Sequence, residues 1–194
     1  MYLSRLTMPL LDRETQKRLA DGYKMHQSVM GGFKAYDDKG RVLYRLEPET
    51  PGNRAVVVVQ SIVLPDWNYL PGNVVSEVKE MDFSSVIKTG CIFSFRLRAN
   101  PVVTRNGKRY GLIGEEAQRA WIEKKRCGFA FEDYRVIDEG HMIFRKNGRH
   151  VYYKAVRFEG RLQVTDKHEA LKTLMGGIGP AKGFGFGLLS LAKG

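Results

Sequence analysis

An α+β fold is predicted from the order of strand-like and helix-like segments along the 194 residues. The first half is predicted to run strand, helix, strand and strand, and the second half strand, helix, strands, helix and strand. Strands are indicated by apolar residues that alternate with polar ones, and helices by apolar residues three or four apart. Two successive units of βαββαβ-like order predict two tandem ferredoxin-like domains, 1–86 and 87–194, which meet near residues 83–90.

The first half is expected to form a strand, a helical stretch and two strands, at residues 2–8, 12–33, 42–47 and 55–63. Asp12 opens the helical stretch, and Asp21 would cap a second helix, because a carboxylate accepts hydrogen bonds from the free N–H groups of a first turn. Gly31-Gly32 would end that helix. Residues 74–81 fit either a short strand or a helical turn, and the segment 64–89 is left open.

The second half is expected to contain strands at 91–99, 129–137, 141–145, 151–164 and 188–192, and helices at 115–126 and 166–175. Alternation in the first of these strands places Arg96 and Arg98 together on the solvent face. Asn106-Gly107 is a strong signal for a tight turn between two strands. Residues 102–112 are therefore predicted to form a hairpin.

Positive charge is concentrated in the second half. The protein has a net charge of +11; the first 90 residues hold 12 Lys and Arg and 11 Asp and Glu, whereas the remaining 104 hold 20 and 10. The predicted hairpin contributes Arg105, Lys108 and Arg109. This distribution indicates a polyanionic partner, with nucleic acid as the first candidate, an anionic membrane as the second, and a merely solvated charged face as the remaining interpretation.

Several classes of protein do not fit the sequence. The longest aliphatic run, residues 55–59, is far shorter than the roughly 20 residues that cross a bilayer. Residues 1–8 lack the apolar stretch of a signal peptide, so a cytoplasmic protein is expected. Cys91 and Cys127 form no CxxC pair, which argues against a disulfide scaffold or a zinc site. Neither a cofactor nor a metal is expected.

Tyr23 and His26 are the first candidates for chemistry. They stand three residues apart in a predicted helix, so both side chains lie on one face and can act on one ligand. The alternative is a pair of ordinary surface or packing residues, which is commoner for a lone histidine. RNA cleavage suits a single histidine without metal, because the 2′-OH of the substrate is the nucleophile and the protein has only to position it and move protons.

The glycine-rich tail, residues 176–187, is the second candidate. It holds six glycines and Lys182. A Rossmann or P-loop would stand between a strand and a following helix, whereas this stretch follows a predicted helix and precedes the last strand. Its small residues would let backbone N–H groups approach a phosphate backbone closely, and a tight structural loop is the alternative.

Five stretches carry a more specific pattern, and they stand in one order over nearly the whole chain. They are Met1-Tyr2-Leu3-Ser4, Asp21-x-Tyr23-x-x-His26, Phe95-Arg96-Leu97-Arg98-Ala99-Asn100-Pro101, Phe158-Glu159-Gly160 with Leu162, and Gly177-Ile178-Gly179-Pro180-Ala181-Lys182 with Gly185-x-Gly187-Leu188-Leu189-Ser190-Leu191-Ala192. Together they resemble the CasE-type endoribonucleases that process CRISPR RNA and remain in the Cascade complex of subtype I-E systems. The chain departs from that family at Gly22, where a larger residue is usual.

The resemblance implies two ferredoxin-like folds and binding of the repeat stem-loop by the C-terminal domain, with other Cascade subunits as partners. It also implies metal-independent cleavage at the 3′ base of the stem, which leaves a 2′,3′-cyclic phosphate and a 5′-hydroxyl. Carried onto this chain, the catalytic histidine falls on His26 and the assisting tyrosine on Tyr23. Whether His26 acts as general base or general acid stays open.

Candidate RNA contacts follow from the charge pattern and from the resemblance. The hairpin cations are expected in a groove of the RNA stem, and the others at the RNA backbone. The full set is Lys34, Arg96, Arg98, Arg105, Lys108, Arg109, Arg119, Arg157, Arg161, Gly179 and Lys182. Contacts of this kind supply affinity more than sequence choice, so repeat selection is expected to depend on stem-loop shape and a few base edges.

Three functions fit these features. The leading hypothesis is a CRISPR repeat endoribonuclease that keeps its product. The alternative is a non-catalytic subunit that binds an RNA hairpin within a guide-RNA ribonucleoprotein, since the same basic surface serves either role. A general RNA-binding protein is the third, and it would bind unrelated hairpins nearly as well as the cognate repeat.

Overall fold

The computed structural model describes residues 1–38, 40–48, 50, 52–125, 127–146 and 149–193. Within these residues the chain forms two four-stranded antiparallel sheets, each built from one half of the sequence, together with a separate two-stranded hairpin. Helices accompany both sheets. The α+β class predicted from the sequence is confirmed.

The first half folds into one sheet with two short helices between its first strands. Its elements are β1 (Tyr2–Pro9), α1 (Arg13–Ala20), α2 (Gly22–Met30), β2 (Leu43–Leu46), β3 (Arg54–Ser61), β4 (Val75–Glu80) and α3 (Phe83–Val86). The strands lie in the order β2-β3-β1-β4. Residues 75–80 thus form a strand, which decides the alternative left open by the sequence. The preceding segment, 62–74, forms turns and irregular chain where a βαββαβ unit has its second helix.

The second half contains the complete βαββαβ unit with one inserted hairpin. Its elements are β5 (Ile92–Ala99), β6 (Val102–Arg105), β7 (Lys108–Gly111), α4 (Glu115–Glu123), β8 (Phe129–Lys146), β9 (Arg149–Val164), α5 (Lys167–Gly176) and β10 (Leu189–Lys193). The main sheet has the order β10-β5-β9-β8, and β6 and β7 form the predicted hairpin. The strands predicted at 129–137 and 141–145 are one strand with an irregularity between Asp138 and His141.

Aspartates start the helices where the sequence predicts them. Asp12 accepts a hydrogen bond from the backbone N–H of Thr15 (2.8 Å), and Asp21 accepts one from that of Tyr23 (2.9 Å). Each such cap contributes about 1 kcal/mol. Beyond α2 the chain continues as a 3-10 turn, Gly31–Phe33, in which Gly31 keeps a right-handed φ of −58°. None of the described helices is long and apolar enough to cross a membrane.

Helix α2 packs one side against the core of the first half. Gly22, Met25 and Val29, which are spaced three and four residues apart, are buried. Burying a side chain the size of Met or Val stabilises the fold by about 1.5–3 kcal/mol. The 3.6-residue period places Tyr23 and His26, which are three residues apart, together on a face of the helix that differs from this buried one. Both are therefore available to the second half of the chain.

The two halves are joined through β2, an edge strand of the first sheet. The side chain of Arg45 is nearly inaccessible, and it donates hydrogen bonds to the carbonyl oxygens of Arg96 (3.1 Å) and Leu188 (3.3 Å). The hydroxyl of Tyr44 donates to the carbonyl oxygen of Gly183 (3.1 Å). These bonds fix the first half relative to β5, to the glycine-rich tail and to Leu188, which follows it.

The face of β5 that carries Arg96 and Arg98 is only partly open to solvent. Phe95 and Leu97 point into the core, so the alternation predicted from the sequence is confirmed. The expectation of a solvent face is wrong for Arg98, whose side chain is only 12% exposed because it is packed against and paired with Glu139.

The short helix α3 connects the two sheets. Phe83 packs against the core of the second half, and Ile87, immediately after the helix, is fully buried in it. The division of the chain into domains between residues 86 and 87 stays a prediction.

Candidate active site and nucleic-acid interface

A pocket of about 200 Å³ lies between the two halves. Its walls come from α2, from β8 and β9, and from the loop that precedes β10. The lining residues are Tyr23, His26, Phe144, Val151, Tyr153, Gly183 and Phe184. The predicted pair on α2 and the glycine-rich tail thus meet at one cavity. The described residues bring no three His, Cys, Asp or Glu side chains together as a metal site requires.

The imidazole of His26 lines this pocket. Nδ1 is buried and has no hydrogen-bond partner among the described residues. A Cβ added to Gly183 would stand 3.5 Å from Nδ1, so the loop covers that edge of the ring. Nε2 is the nitrogen left to a ligand. Because an imidazole exchanges protons near neutral pH, Nε2 can serve as an acid or a base.

Tyr23 lies at the mouth of the same pocket. Its side chain is 52% exposed, and its backbone N–H is held by the Asp21 carboxylate. Side chains three apart on a helix have Cβ atoms about 5–6 Å apart. The phenol, which is a hydrogen-bond donor, and the imidazole of His26 can therefore contact the same small group, such as one phosphate.

A two-stranded arm of the second half closes the pocket over α2. β5 pairs with β9 only over residues 156–163, whereas β8 and β9 stay paired out to Lys146 and Arg149. Phe144 of this arm is buried and lies on Gly22, where a Cβ would overlap its ring. The arm can rest on α2 because residue 22 has no side chain.

The β6–β7 hairpin carries uncompensated positive charge. Arg105, Lys108 and Arg109 are exposed, and none forms an ion pair with the described residues. Burial raises the pKa of Tyr153, and the positive charge of Arg109 acts in the opposite direction. The hairpin lies against β9 next to the pocket wall, because a Cβ added to Gly111 of β7 would stand 2.8 Å from Cβ of Lys154, the residue after Tyr153.

Five of the predicted RNA-binding arginines form ion pairs within the protein, and three of them share one network. Arg96 pairs with Glu47 and Glu159, Arg98 with Glu139, and Arg157 with Glu139 and Glu159. Glu47 follows β2, so the network crosses from the first half to the second. These arginines stabilise the junction of the halves; as phosphate contacts they stay a prediction.

Arg119, Arg161 and Lys34 lie outside the lining of the pocket. Arg119 pairs with Glu115, and its guanidinium carbon stands 4.6 Å from the ring centroid of Tyr134. Arg161 pairs with Asp133 (3.1 Å), and its side chain is 61% exposed. Lys34 is exposed beyond the end of α2. The structure therefore does not bring these three cations to His26.

Lys182 and Gly179 belong to the tail but occupy different environments. Lys182 precedes Gly183 of the pocket, and both burial and the positive charge of Arg41 lower its pKa. Gly179 has a φ of +82°, and a Cβ there would stand 2.9 Å from the ring of Trp121. Backbone conformation and packing against Trp121 account for this glycine without an RNA contact.

Two features were not predicted from the sequence. One is the aromatic part of the pocket, which consists of Phe144, Tyr153 and Phe184. The other is the cation Arg41, which acts on Lys182. A signal existed for Phe184, which stands between glycines in the tail. Phe144 and Tyr153 belong to long strands in which alternation assigns a face. None of these signals shows that the rings meet α2, because Phe144 and Phe184 stand more than a hundred residues from Gly22 and His26, against which they lie.

These features define a protein of two ferredoxin-like units with a candidate acid–base pocket where the units meet. A family model described as "CRISPR associated protein" matches residues 1–193, and the chain belongs to that family. The resemblance found in the sequence motifs is confirmed.

Similar proteins and structures extend over the whole chain. The chain is 32% identical over 210 residues to the CRISPR-associated endoribonuclease Cse3 of Thermus thermophilus, covering 99% of this chain and 100% of the relative. It is also 32% identical to the CRISPR system Cascade subunit CasE of Escherichia coli (strain K12), covering 99% of each. A solved structure of the CRISPR endoribonuclease Cse3 bound to a 19 nt RNA matches with a TM-score of 0.91 and 32% identity, covering 99% of this chain and 100% of that one.

Proposed function

We propose that the protein is an endoribonuclease that cleaves CRISPR precursor RNA at the 3′ base of the repeat stem-loop. It keeps the mature guide RNA as a subunit of a Cascade complex. The observation that carries this proposal is the pocket in which Tyr23 and His26 meet beside an unpaired basic hairpin. The names of the relatives, an endoribonuclease and a Cascade subunit, support it.

The proposed reaction is an internal transesterification that needs no metal. The 2′-oxygen of the nucleotide before the cleavage site attacks the adjacent phosphorus, and the bond from phosphorus to the 5′-oxygen breaks. The 2′-OH loses a proton and the leaving 5′-oxygen gains one. The products are a 2′,3′-cyclic phosphate and a 5′-hydroxyl, and no water is consumed.

Within this reaction His26 moves a proton and Tyr23 orients the phosphate. His26 lines the pocket, where its Nε2 can exchange a proton with the 2′-OH or with the 5′-oxygen. The phenol of Tyr23 donates a hydrogen bond to a phosphate oxygen, where negative charge develops in the transition state. Because Nδ1 is buried beside Gly183, Nε2 is the nitrogen proposed to meet the substrate.

RNA binding is proposed to depend mainly on the hairpin. Arg105, Lys108 and Arg109 are exposed and not neutralised by the described carboxylates, so they attract phosphates without first breaking an ion pair. Lys182 and Arg41 add positive charge near the tail. A cytoplasmic location follows from this function, because the precursor RNA is transcribed there.

The test is single-turnover cleavage of the host's repeat hairpin in EDTA. Wild type, His26→Ala and a substrate with a 2′-deoxy nucleotide before the cleavage site are compared. We expect wild type to cut the normal substrate, the variant to cut it at least about 100-fold more slowly, and the deoxy substrate to stay uncut.

Binding of the same hairpin separates the outcomes. If wild type binds the hairpin tightly but does not cut it, the protein is a non-catalytic RNA-binding subunit. If it binds unrelated hairpins equally well at physiological salt, the repeat-specific function is wrong.

A further inference from the structure

The pocket is unusually aromatic for a site that only has to move protons at a phosphate. Five of its seven lining residues carry rings, namely Tyr23, His26, Phe144, Tyr153 and Phe184. Its volume of about 200 Å³ is below the roughly 300–1,000 Å³ typical of sites for larger ligands. The pocket therefore has room for one ring system rather than for a whole nucleotide.

Three of the rings form a compact cluster on the side of the pocket that belongs to the second half. The centroid of Phe184 lies 5.2 Å from that of Phe144 and 5.2 Å from that of Tyr153, at interplanar angles of 22° and 27°. Phe144 is buried, whereas Phe184 and Tyr153 keep part of their surface accessible. A flat ligand can thus stack on rings whose orientation is already fixed by mutual packing.

The proposed reaction creates a need for such a surface. Attack by a 2′-oxygen requires the 2′-oxygen, the phosphorus and the leaving 5′-oxygen to come into line. A regular A-form strand holds them away from this geometry, so the nucleotides at the cleavage site must rotate and lose their stacking. The nucleotide on the 3′ side costs least to displace, because cleavage at the 3′ base of the stem leaves it outside the duplex.

We infer that this aromatic cluster binds the nucleobase immediately 3′ of the scissile phosphate and so holds the phosphate in line beside His26. The inference rests on the proposed function and extends it to the substrate's conformation. Unpaired bases are commonly stacked on aromatic side chains in RNA recognition. Gly111 of the basic hairpin lies against Lys154, the residue next to Tyr153, so the hairpin cations can reach the backbone of that nucleotide.

The first experiment removes the base instead of a side chain. The repeat hairpin is prepared with an abasic residue directly 3′ of the cleavage site, and a control hairpin carries it two nucleotides further on. With wild type we expect the first abasic substrate to be cut about 5- to 100-fold more slowly, the range that loss of one stacked base gives, and the control to be cut normally. Equal rates for the first abasic and normal substrates would overturn the inference.

Variants of the pocket complete the test. In Phe184→Leu and Tyr153→Leu the normal substrate should be slowed to a similar degree, and removal of the base should then have little further effect. Tyr152→Leu is the matched control, since Tyr152 is the next residue on β9, is 61% exposed and lies outside the pocket lining. If removing the base slows the Phe184 and Tyr153 variants as much as wild type, these rings do not hold the base.

A binding signal separates failure of this inference from failure of the proposed function. A 2-aminopurine at the same position of the uncleavable 2′-deoxy hairpin should lose fluorescence on binding wild type, and much less on binding Tyr153→Leu. Loss of fluorescence without cleavage of the normal substrate would support the base site and refute the catalytic role. Cleavage with no change in fluorescence would refute the base site alone.

Discussion

The two halves of the molecule share one strand order but differ in completeness and in charge. Numbered within each half, the four main strands lie in the order 4-1-3-2 in both sheets. The second half has both helices of the βαββαβ unit and an added basic hairpin, whereas the first has irregular chain, 62–74, in place of its second helix. The first half supplies Tyr23 and His26, and the second supplies most of the positive charge.

This difference suggests a division of work between two copies of one fold. The nearly neutral half holds the groups proposed for proton transfer, and the basic half holds the surface proposed for RNA. Neither makes the pocket alone, because the arm and the tail of the second half form the walls opposite α2. Chemistry and binding should therefore be separable by substitution, whereas the geometry of the pocket should depend on contacts between the halves.

The largest expected effect is on chemistry alone. His26→Ala should slow single-turnover cleavage by about 10²- to 10⁴-fold, the usual contribution of a positioned acid or base, while the Kd for the uncleavable hairpin changes less than about twofold. Gln27→Ala, an exposed neighbour on α2, is the control and should behave as wild type. A large rise in the Kd of the His26 variant would show that the first half also contributes to RNA binding.

The next effect is on binding alone. Replacing Arg105, Lys108 and Arg109 together by Ala should weaken hairpin binding by about 10- to 100-fold at physiological salt. It should also reduce the slope of log K against log salt by about 2 to 3, because each lost phosphate contact removes about 0.7–0.9. At saturating protein the cleavage rate should stay close to that of wild type.

A charge-matched control tests whether position or net charge matters. Arg13, Arg54 and Lys79 are exposed cations of the first half, and their joint replacement by Ala removes the same charge. If this control weakens binding as much as the hairpin variant, the hairpin has no special role. If it leaves the affinity and the salt slope unchanged, RNA binding depends on the position of the hairpin cations and not on net charge.

Much of the fold was predictable because it depends on local signals. Asp12 and Asp21 cap the helices they were expected to cap, and Asn106-Gly107 forms the turn of a hairpin. The pairing of Tyr23 with His26 at one pocket follows from helix periodicity. These features need only neighbouring residues, so the sequence carries the information for them.

The rest depends on contacts that no local pattern encodes. Arg98 was expected in solvent because alternation assigns a face but cannot say what covers it, and Glu139 covers it. Likewise, the rings of Phe144 and Phe184 become part of a site only when the arm folds back onto α2. The missing second helix of the first half was also not visible, since Pro65 and Pro71 indicated a break but not the structure on either side.

A moderate effect is expected where the arm meets α2. Gly22→Ala should gain up to about 1 kcal/mol of helix propensity. The new Cβ would overlap the Phe144 ring, and overpacking of this kind costs about 1–3 kcal/mol. We therefore expect a net loss of stability in denaturant unfolding and slower cleavage, because the arm is displaced from the pocket.

A second substitution shows whether that contact is the cause. Phe144→Leu in the Gly22→Ala background should recover part of the lost stability, since a smaller and more flexible side chain can make room for the Cβ. If Gly22→Ala is as stable as wild type, or if the double variant recovers no stability, the arm is not held at Gly22.

The smallest effect concerns the ion pairs that join the halves. Burial raises the pKa of Glu159, but its hydrogen bonds and charge interactions with Arg157 and Arg96 outweigh this and hold the pKa below its ordinary value of 4.5. A depressed pKa means that the carboxylate stabilises the fold above about pH 4.5, and that this contribution is lost as the pH falls through the folded-state pKa.

Glu159→Gln should thus lower the free energy of unfolding by about 1–2 kcal/mol at pH 7. The stability of this variant should also fall less steeply on acidification than that of wild type. Glu80→Gln, an exposed carboxylate of the first half, should change neither, and equal acid profiles for wild type and Glu159→Gln would mean that the Glu159 ion pairs do not stabilise the fold.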